Sequence, residues 1–437
     1  MTNGRYKTEP FDCYQKGKEL RLGHFQDVMS AKEKGKLLIS GSVTIGSFEI
    51  PAGLGDVVCF ADDSYAVNIA ADPNFSTEAS AAAEGRGFGR EICGYTLNYI
   101  GSMFLNRFLF GGEFPKPDFA FTAQNCDARG KWSQIVADHL GIPVFIFETP
   151  CGRTGQGKSQ RTEYLAAQFL EGIQWMEKIT GRDYDDERLI EATRNFFRSA
   201  KLWGEICLLN RTIPAPIDVR ALISFLPAII WRRHEKVGVE FLETLRDELR
   251  YRIDKGIAAS AGERCRLLLD SPPPYAILPM LHMTQERYGM VWLGTLVYTG
   301  IYGELEVIEN GKVSVRKTPE ESGMVFRKRE DAIRALAESI VGGWLDQRIA
   351  YPTDMNPSYI ALARYLQADG IFLDINRSCP ANSASTPERK LAFMEAGFPV
   401  AVYESYGSRP SDINLGTIRA VLERFLESSL GLSKLID

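Results

Sequence analysis

Two stretches of the chain follow one plan. Residues 117–148 run through an apolar strand (PDFAFTA), a polar loop with a cysteine (NCD), a helical stretch, Gly-Ile-Pro and a second apolar strand (PVFIFE). Residues 370–405 repeat the order with GIFLDIN, the loop SCP, a helical stretch, Gly-Phe-Pro and PVAVYES. Cys126 lies 17 residues before Pro143, and Cys379 lies 20 before Pro399. The strands are continuously apolar instead of alternating, the pattern of parallel strands covered on both faces. The repeat therefore predicts two similar α/β units, each placing a cysteine just past the carboxyl end of a parallel strand. In open α/β sheets ligands bind in the crevice there.

Further strands are read at KLLISGS, DVVCFAD, RLLLD and MVWLGTLVY. ELEVIENGKVSVRK (304–317) reads as an inserted hairpin turning at Asn310-Gly311. Between the units the period changes. Leu189, Phe196, Ala200, Trp203 and Cys207 share one helix face, and 238–256 forms a second amphipathic helix. The expected organisation is an N-terminal helical segment (1–36), a first α/β domain (37–159), a helical connecting region (160–260) and a second α/β domain (261–437). The fold class is α/β, with mainly parallel, flavodoxin- or Rossmann-like sheets.

A net charge of −5 over 437 residues gives no basic excess for neutralising phosphates, so nucleic acid is not an expected partner. The longest apolar stretches, such as LISFLPAIIW, are too short to span a bilayer. Eight cysteines behind an N-terminus without an apolar leader fit a reducing cytoplasm, where thiols serve metals or catalysis more often than disulfides.

Most free cysteines are small buried hydrophobes. Cys59, inside a strand, and Cys207, on the helix stripe, fit that description; Cys13, Cys151 and Cys265 have no partner at metal-ligand spacing. Cys126 and Cys379 depart from it, because polar loops at strand ends bury little. Cys93 sits near a glycine-rich helix start. There is no C-x-x-C pair for structural zinc. Three separated cysteines could hold an iron–sulfur cubane, which normally takes four, leaving one iron open.

GFGREICGYTLNYIGSM, QNCDARGKW and NRSCPANS, with the 33-residue gap from Cys93 to Cys126, resemble the 2-hydroxyacyl-CoA dehydratase/benzoyl-CoA reductase family. So does TGRDYDDERLIEATRNFFRSAKLWGEICLLNRTIPAPID (180–218). YKTEPFDCYQKGKELR and EFPKPDFAF are similar to the larger cluster-bearing subunits of ATP-dependent benzoyl-CoA reductases. The resemblance implies a [4Fe–4S] cluster on Cys93, Cys126 and Cys379, a homologous second cluster-bearing subunit, separate ATP-hydrolysing activator subunits and electrons from ferredoxin. It implies reduction of an aromatic acyl-CoA, benzoyl-CoA, to a cyclohexadienoyl-CoA. The alternative is dehydration of an (R)-2-hydroxyacyl-CoA through a ketyl radical. Pro380-Ala381-Asn382 departs from the bulky or charged residues often found after the third cysteine, which bears on the substrate. Glu49, in GSFEIPAGLG, matches an acidic position that recurs in the family and is the candidate proton donor; the competing reading is a carboxylate placed at a helix N-terminus for its dipole.

Residues 152–159, GRTGQGKS, match the phosphate-cradling pattern G-x-x-x-x-G-K-[ST]. The match follows the last strand of the first unit, whereas such loops normally follow the first strand of their own domain. A solvated glycine-rich loop is expected, with Lys158 a candidate contact for a CoA phosphate.

Overall fold

The computed structural model describes residues 5–435 apart from 154, 303, 309–310, 345–347 and 349–350. Its framework is two four-stranded parallel sheets. The first contains β1 (Leu37–Gly41), β2 (Val57–Ala61), β3 (Phe119–Gln124) and β4 (Val144–Glu148), in the order β2-β1-β3-β4. The second contains β5 (Arg266–Asp270), β6 (Val291–Thr295), β9 (Gly370–Asn376) and β10 (Val400–Ser405). Read from its β6 edge, its order is β6-β5-β9-β10. Each unit thus sets its second strand beside its first, then its third and fourth. The repeated motifs are the third and fourth strands of both units. The order reverses between β1 and β3 and between β5 and β9, which opens a crevice at the carboxyl ends of those strands.

Alternate residues along the central strands enter different cores. Leu267 and Leu269 pack with Trp292 and Phe372, while Leu268 packs with Ile371 and Leu373 on the opposite face. In the first sheet Leu38 and Ala120 face one core, and Ile39, Phe119 and Phe121 the other. Both faces are covered, which is why the strands read as unbroken apolar runs.

Helices join and cover the sheets. Helix Asp186–Leu209 begins where the Asp185 side chain accepts the N–H groups of Glu187 and Arg188, and it buries the whole expected stripe from Leu189 to Cys207. Helix Val219–Trp231 is capped by Asp218, which accepts the Ala221 N–H at 2.9 Å. That helix bridges the units. Trp231 Nε1 donates to Ser64 Oγ at 2.8 Å in the first, and Leu222 packs close to Gly294 in the second. Helix Arg329–Val341, although late in sequence, returns to the first unit and shares a core with Phe121, Phe147 and Phe169. Helix Tyr14–Ser30 lies in the expected N-terminal segment.

The run MVWLGTLVY divides. Its strand ends at Thr295, whose hydroxyl accepts the Tyr298 N–H at 3.1 Å and opens a helix over Leu296–Tyr302. The hairpin forms from β7 (Leu305–Val307) and β8 (Val313–Val315). Asn310 of its expected turn lies outside the described residues. Among the described residues no helix is long and apolar enough to cross a membrane.

Candidate functional site

A cavity of 420 Å³ opens between the units, and Cys93, Cys126 and Cys379 all line it. Three different local structures deliver them. Cys93 is the N-cap residue of helix Gly94–Phe104. The Gly94 N–H donates to Ser378 O at 2.9 Å, which fastens this helix end to the residue before Cys379. A Cβ on Gly94 would press on Ser378 Cβ at 3.1 Å and on the Ser408 hydroxyl, so only glycine permits the approach. Cys126 stands in the loop between β3 and helix Arg129–Leu140, where Gln124 Nε2 donates to its carbonyl at 2.8 Å. Cys379 stands past β9 in a loop folded by Asn376, whose Oδ1 accepts the Ser378 N–H at 3.0 Å and whose carbonyl accepts the Cys379 N–H at 3.0 Å.

Electrostatics sets the three apart from ordinary thiols. Burial raises the pKa of each. The charge of Cys93 raises those of Cys126 and Cys379 further, so the three groups sense one another. Backbone N–H groups oppose the rise: those of Thr96 and Tyr95 at Cys93, of Ala128 and Arg129 at Cys126, and of Asn382 at Cys379. Such thiols ionise together only around a compensating cation. Among the described residues no group of three or more His, Cys, Asp and Glu is gathered for a single ion. A cubane is wider than an ion and takes thiolates from further apart, so the donor set, the N–H groups aimed at sulfur and the apolar walls fit an iron–sulfur group.

Cys59 and Cys207 are buried, as read from the sequence. Cys13 and Cys265 are buried too, and Cys151 is exposed.

Several cavity residues carry no sequence signal of their own. Asp63 is the carboxylate among the described lining residues. It accepts the Val43 N–H at 3.1 Å, and its pKa is pushed up to about 6, chiefly by burial, against the pull of Arg129. Trp132, Ile223, Ile230 and Trp231 supply apolar wall, and the exposed Arg21 and Arg220 stand in the lining as well. Only contacts across the chain place them there; helical spacing within Val219–Trp231 is the one local hint, for Ile223, Ile230 and Trp231.

Glu49 is not brought to the cysteines. It is fully buried and outside the cavity lining, with Oε1 accepting Arg233 Nε at 2.7 Å and Oε2 accepting the Gly46 N–H at 2.7 Å. Burial alone would raise its pKa, but the Arg233 charge and hydrogen bond outweigh that and hold it below the ordinary value. The carboxylate is thus the buried ion-pair partner of Arg233.

The GRTGQGKS loop is turned inside out relative to a phosphate cradle. It follows β4, an edge strand. The carbonyls of Pro150, Gly152, Arg153 and Gln156 converge on the Arg161 guanidinium at 3.2–3.3 Å. A phosphate needs N–H groups at such a point, and carbonyl oxygens repel it. Lys158 runs toward Gly342 and lines a different cavity, of 430 Å³, with Arg316 and Lys317. Lys158→Ala is therefore expected to leave ATP hydrolysis by an assembled complex unchanged, as measured by phosphate release.

Residues 56–429 match the family model described as 2-hydroxyglutaryl-CoA dehydratase, D-component. The chain is 23% identical over 317 residues to the alpha subunit of (R)-2-hydroxyglutaryl-CoA dehydratase of Acidaminococcus fermentans, covering 72% of this chain and 61% of that relative. It is 22% identical to the (R)-2-hydroxyisocaproyl-CoA dehydratase alpha subunit of Clostridioides difficile, over 90% of both chains. It is 24% identical to the (R)-phenyllactyl-CoA dehydratase alpha subunit of Clostridium sporogenes, over 91% of this chain and 90% of the relative.

Proposed function

Because the chain belongs to the 2-hydroxyglutaryl-CoA dehydratase D-component family, we propose that it is the substrate-binding subunit of an (R)-2-hydroxyacyl-CoA dehydratase. The observation that carries this reading is the convergence of Cys93, Cys126 and Cys379 on one cavity between two parallel α/β units. The resemblance of YKTEPFDCYQKGKELR and EFPKPDFAF by itself favours ring reduction of benzoyl-CoA. The relatives bear dehydratase names, and that reverses the preference.

The three cysteines would hold a [4Fe–4S] cluster, which when bound supplies one electron at low potential and an iron open to an oxygen ligand. The residues of the chain then do the rest. Trp132, Trp231, Ile223 and Ile230 exclude water from the acyl group, protecting a radical from side reactions. Dehydration removes the 2-hydroxyl and a proton from C3. Asp63 is the carboxylate assigned to take that proton at its Oδ atoms, since it lines the cavity and Glu49 does not. Arg21 and Arg220 complement the phosphates of CoA. Charge reversal of both to Glu is expected to raise KM for the CoA ester at least tenfold with a smaller change in kcat, as read from initial rates.

The partner set is a homologous subunit, separate ATP-hydrolysing activator subunits and ferredoxin. One cubane handles one electron at a time, and the described carbonyls of the GRTGQGKS loop turn toward Arg161, an arrangement that does not suit ATP. Benzoyl-CoA reduction remains the second reading, favoured by the tryptophan and tyrosine side chains (Trp132, Trp231, Tyr275, Tyr298) that would flank an aromatic ring. The deciding experiment supplies the reconstituted complex with ATP and reduced ferredoxin and offers (R)-2-hydroxyacyl-CoA or benzoyl-CoA. Formation of the 2-enoyl-CoA is expected. Exclusive formation of a cyclohexadienoyl-CoA would select the second reading, and a chain purified anaerobically without iron and sulfide would sink both.

A further inference from the structure

The two units repeat one more detail. Arg129 stands three residues past Cys126, and Asn382 stands three past Cys379. Both line the cavity and both are buried. Each keeps one nitrogen with no hydrogen-bond acceptor among the described residues, Nη1 of Arg129 and Nδ2 of Asn382. A buried donor left unpaired costs about 1–3 kcal/mol. Two such donors at the same position of two related units, beside two of three clustered thiols, point to an acceptor that is not among the described residues.

Neither nitrogen is free to turn elsewhere. Arg129 Nη2 reaches both oxygens of Asp62 at 2.6 Å, and its Nε donates to Thr122 Oγ1 at 3.2 Å. Asn382 Oδ1 accepts Arg348 Nε at 3.0 Å, which fixes the sense of the amide because the reverse would set donor against donor. Arg348 is in turn held by Asp270 at 2.9 Å and by the Tyr359 hydroxyl at 2.8 Å. Buried carboxylates thus anchor both donors, at the ends of β2 and β5.

We propose that Arg129 and Asn382 are positioning residues that donate hydrogen bonds to sulfur atoms of the iron–sulfur group held by Cys93, Cys126 and Cys379, and that they raise its reduction potential. The inference rests on the cluster reading above. An added electron increases the negative charge on the sulfurs. N–H donors and a guanidinium charge favour that reduced form. Arg129 brings a charge and Asn382 only a dipole, so the two contribute unequally.

The test is a redox titration followed by electron paramagnetic resonance, on the chain purified anaerobically with its partner subunit. Asn382→Leu removes Nδ2 without adding charge. It is expected to shift the oxidised-to-reduced ratio about tenfold toward oxidised at a fixed applied potential, about 59 mV for one electron, with iron and sulfide content unchanged. Arg129→Lys, which keeps the charge opposite Asp62 but removes Nη1, is expected to shift it the same way by less. Asn382→Asp, which keeps an acceptor for Arg348, serves if the leucine variant does not load iron, and should shift further. Loaded variants that all titrate at the wild-type potential would overturn the proposal. Wild-type protein without iron and sulfide would instead remove the cluster reading on which it stands.

Discussion

Serine at Cys126 is expected to strip the chain of iron and bring turnover below detection, and the same holds for Cys93 and Cys379. Iron–sulfur clusters require the soft, electron-rich thiolate, and a serine hydroxyl in the same place is a hard and weakly acidic ligand. The loss should exceed the roughly 10–100-fold typical of removing an outer hydrogen-bond partner of a metal ligand. Cys59→Ser and Cys207→Ser provide the contrast. Both side chains are buried in apolar surroundings, and neither lines the cavity. Burying a hydroxyl in place of the thiol there costs about 1–3 kcal/mol, which lowers the melting temperature and leaves iron content alone. Anaerobic iron and sulfide analysis beside thermal melts separates the two classes. A Cys126→Ser protein with full iron would refute the ligand assignment.

What could be read from the sequence follows from how local each signal is. The strands were legible because both faces of the central strands are covered, so Leu267–Leu269 and Ile371–Leu373 run without a polar residue. The boundary missed at Thr295 turned on one hydroxyl accepting one N–H three residues later, a signal invisible within an apolar run. The repeat located Cys126 and Cys379, and the identical strand order of the two sheets is its physical cause. Read one step further, the same repeat marks Arg129 and Asn382. Arg348 and Asp63 left no trace in it, because their places depend on contacts such as Arg348 with Asp270, 78 residues apart in sequence. The GRTGQGKS match failed for the opposite reason. Its letters are local, but the direction its carbonyls face is set by Arg161, outside the pattern.

Glu49→Gln is expected to destabilise the protein by about 3 kcal/mol, the cost of leaving one member of a buried ion pair uncompensated, while the protein that remains folded keeps most of its kcat. Glu49 and Arg233 are both fully buried. Arg233 also donates to the carbonyls of Val43 at 2.7 Å and Thr44 at 3.0 Å, so the pair pins the loop after β1 that contributes Val43 to the cavity wall. Neutralising the carboxylate strands a guanidinium charge beneath that loop, 184 residues away in sequence from its partner. The pH dependence has a definite sign. The folded pKa of Glu49 is held below its ordinary value, so its contribution is fully present above the unfolded value of about 4.3 and is lost as pH falls through the folded one. Wild type should therefore lose stability on acidification in a window where the Gln variant changes less. A proton donor behaves differently: its loss cuts kcat and leaves the melting curve where it was. Melting curves taken at neutral and acid pH, beside kcat on the same preparations, decide between the two, and an inactive Glu49→Gln protein of wild-type stability would restore Glu49 to the chemistry.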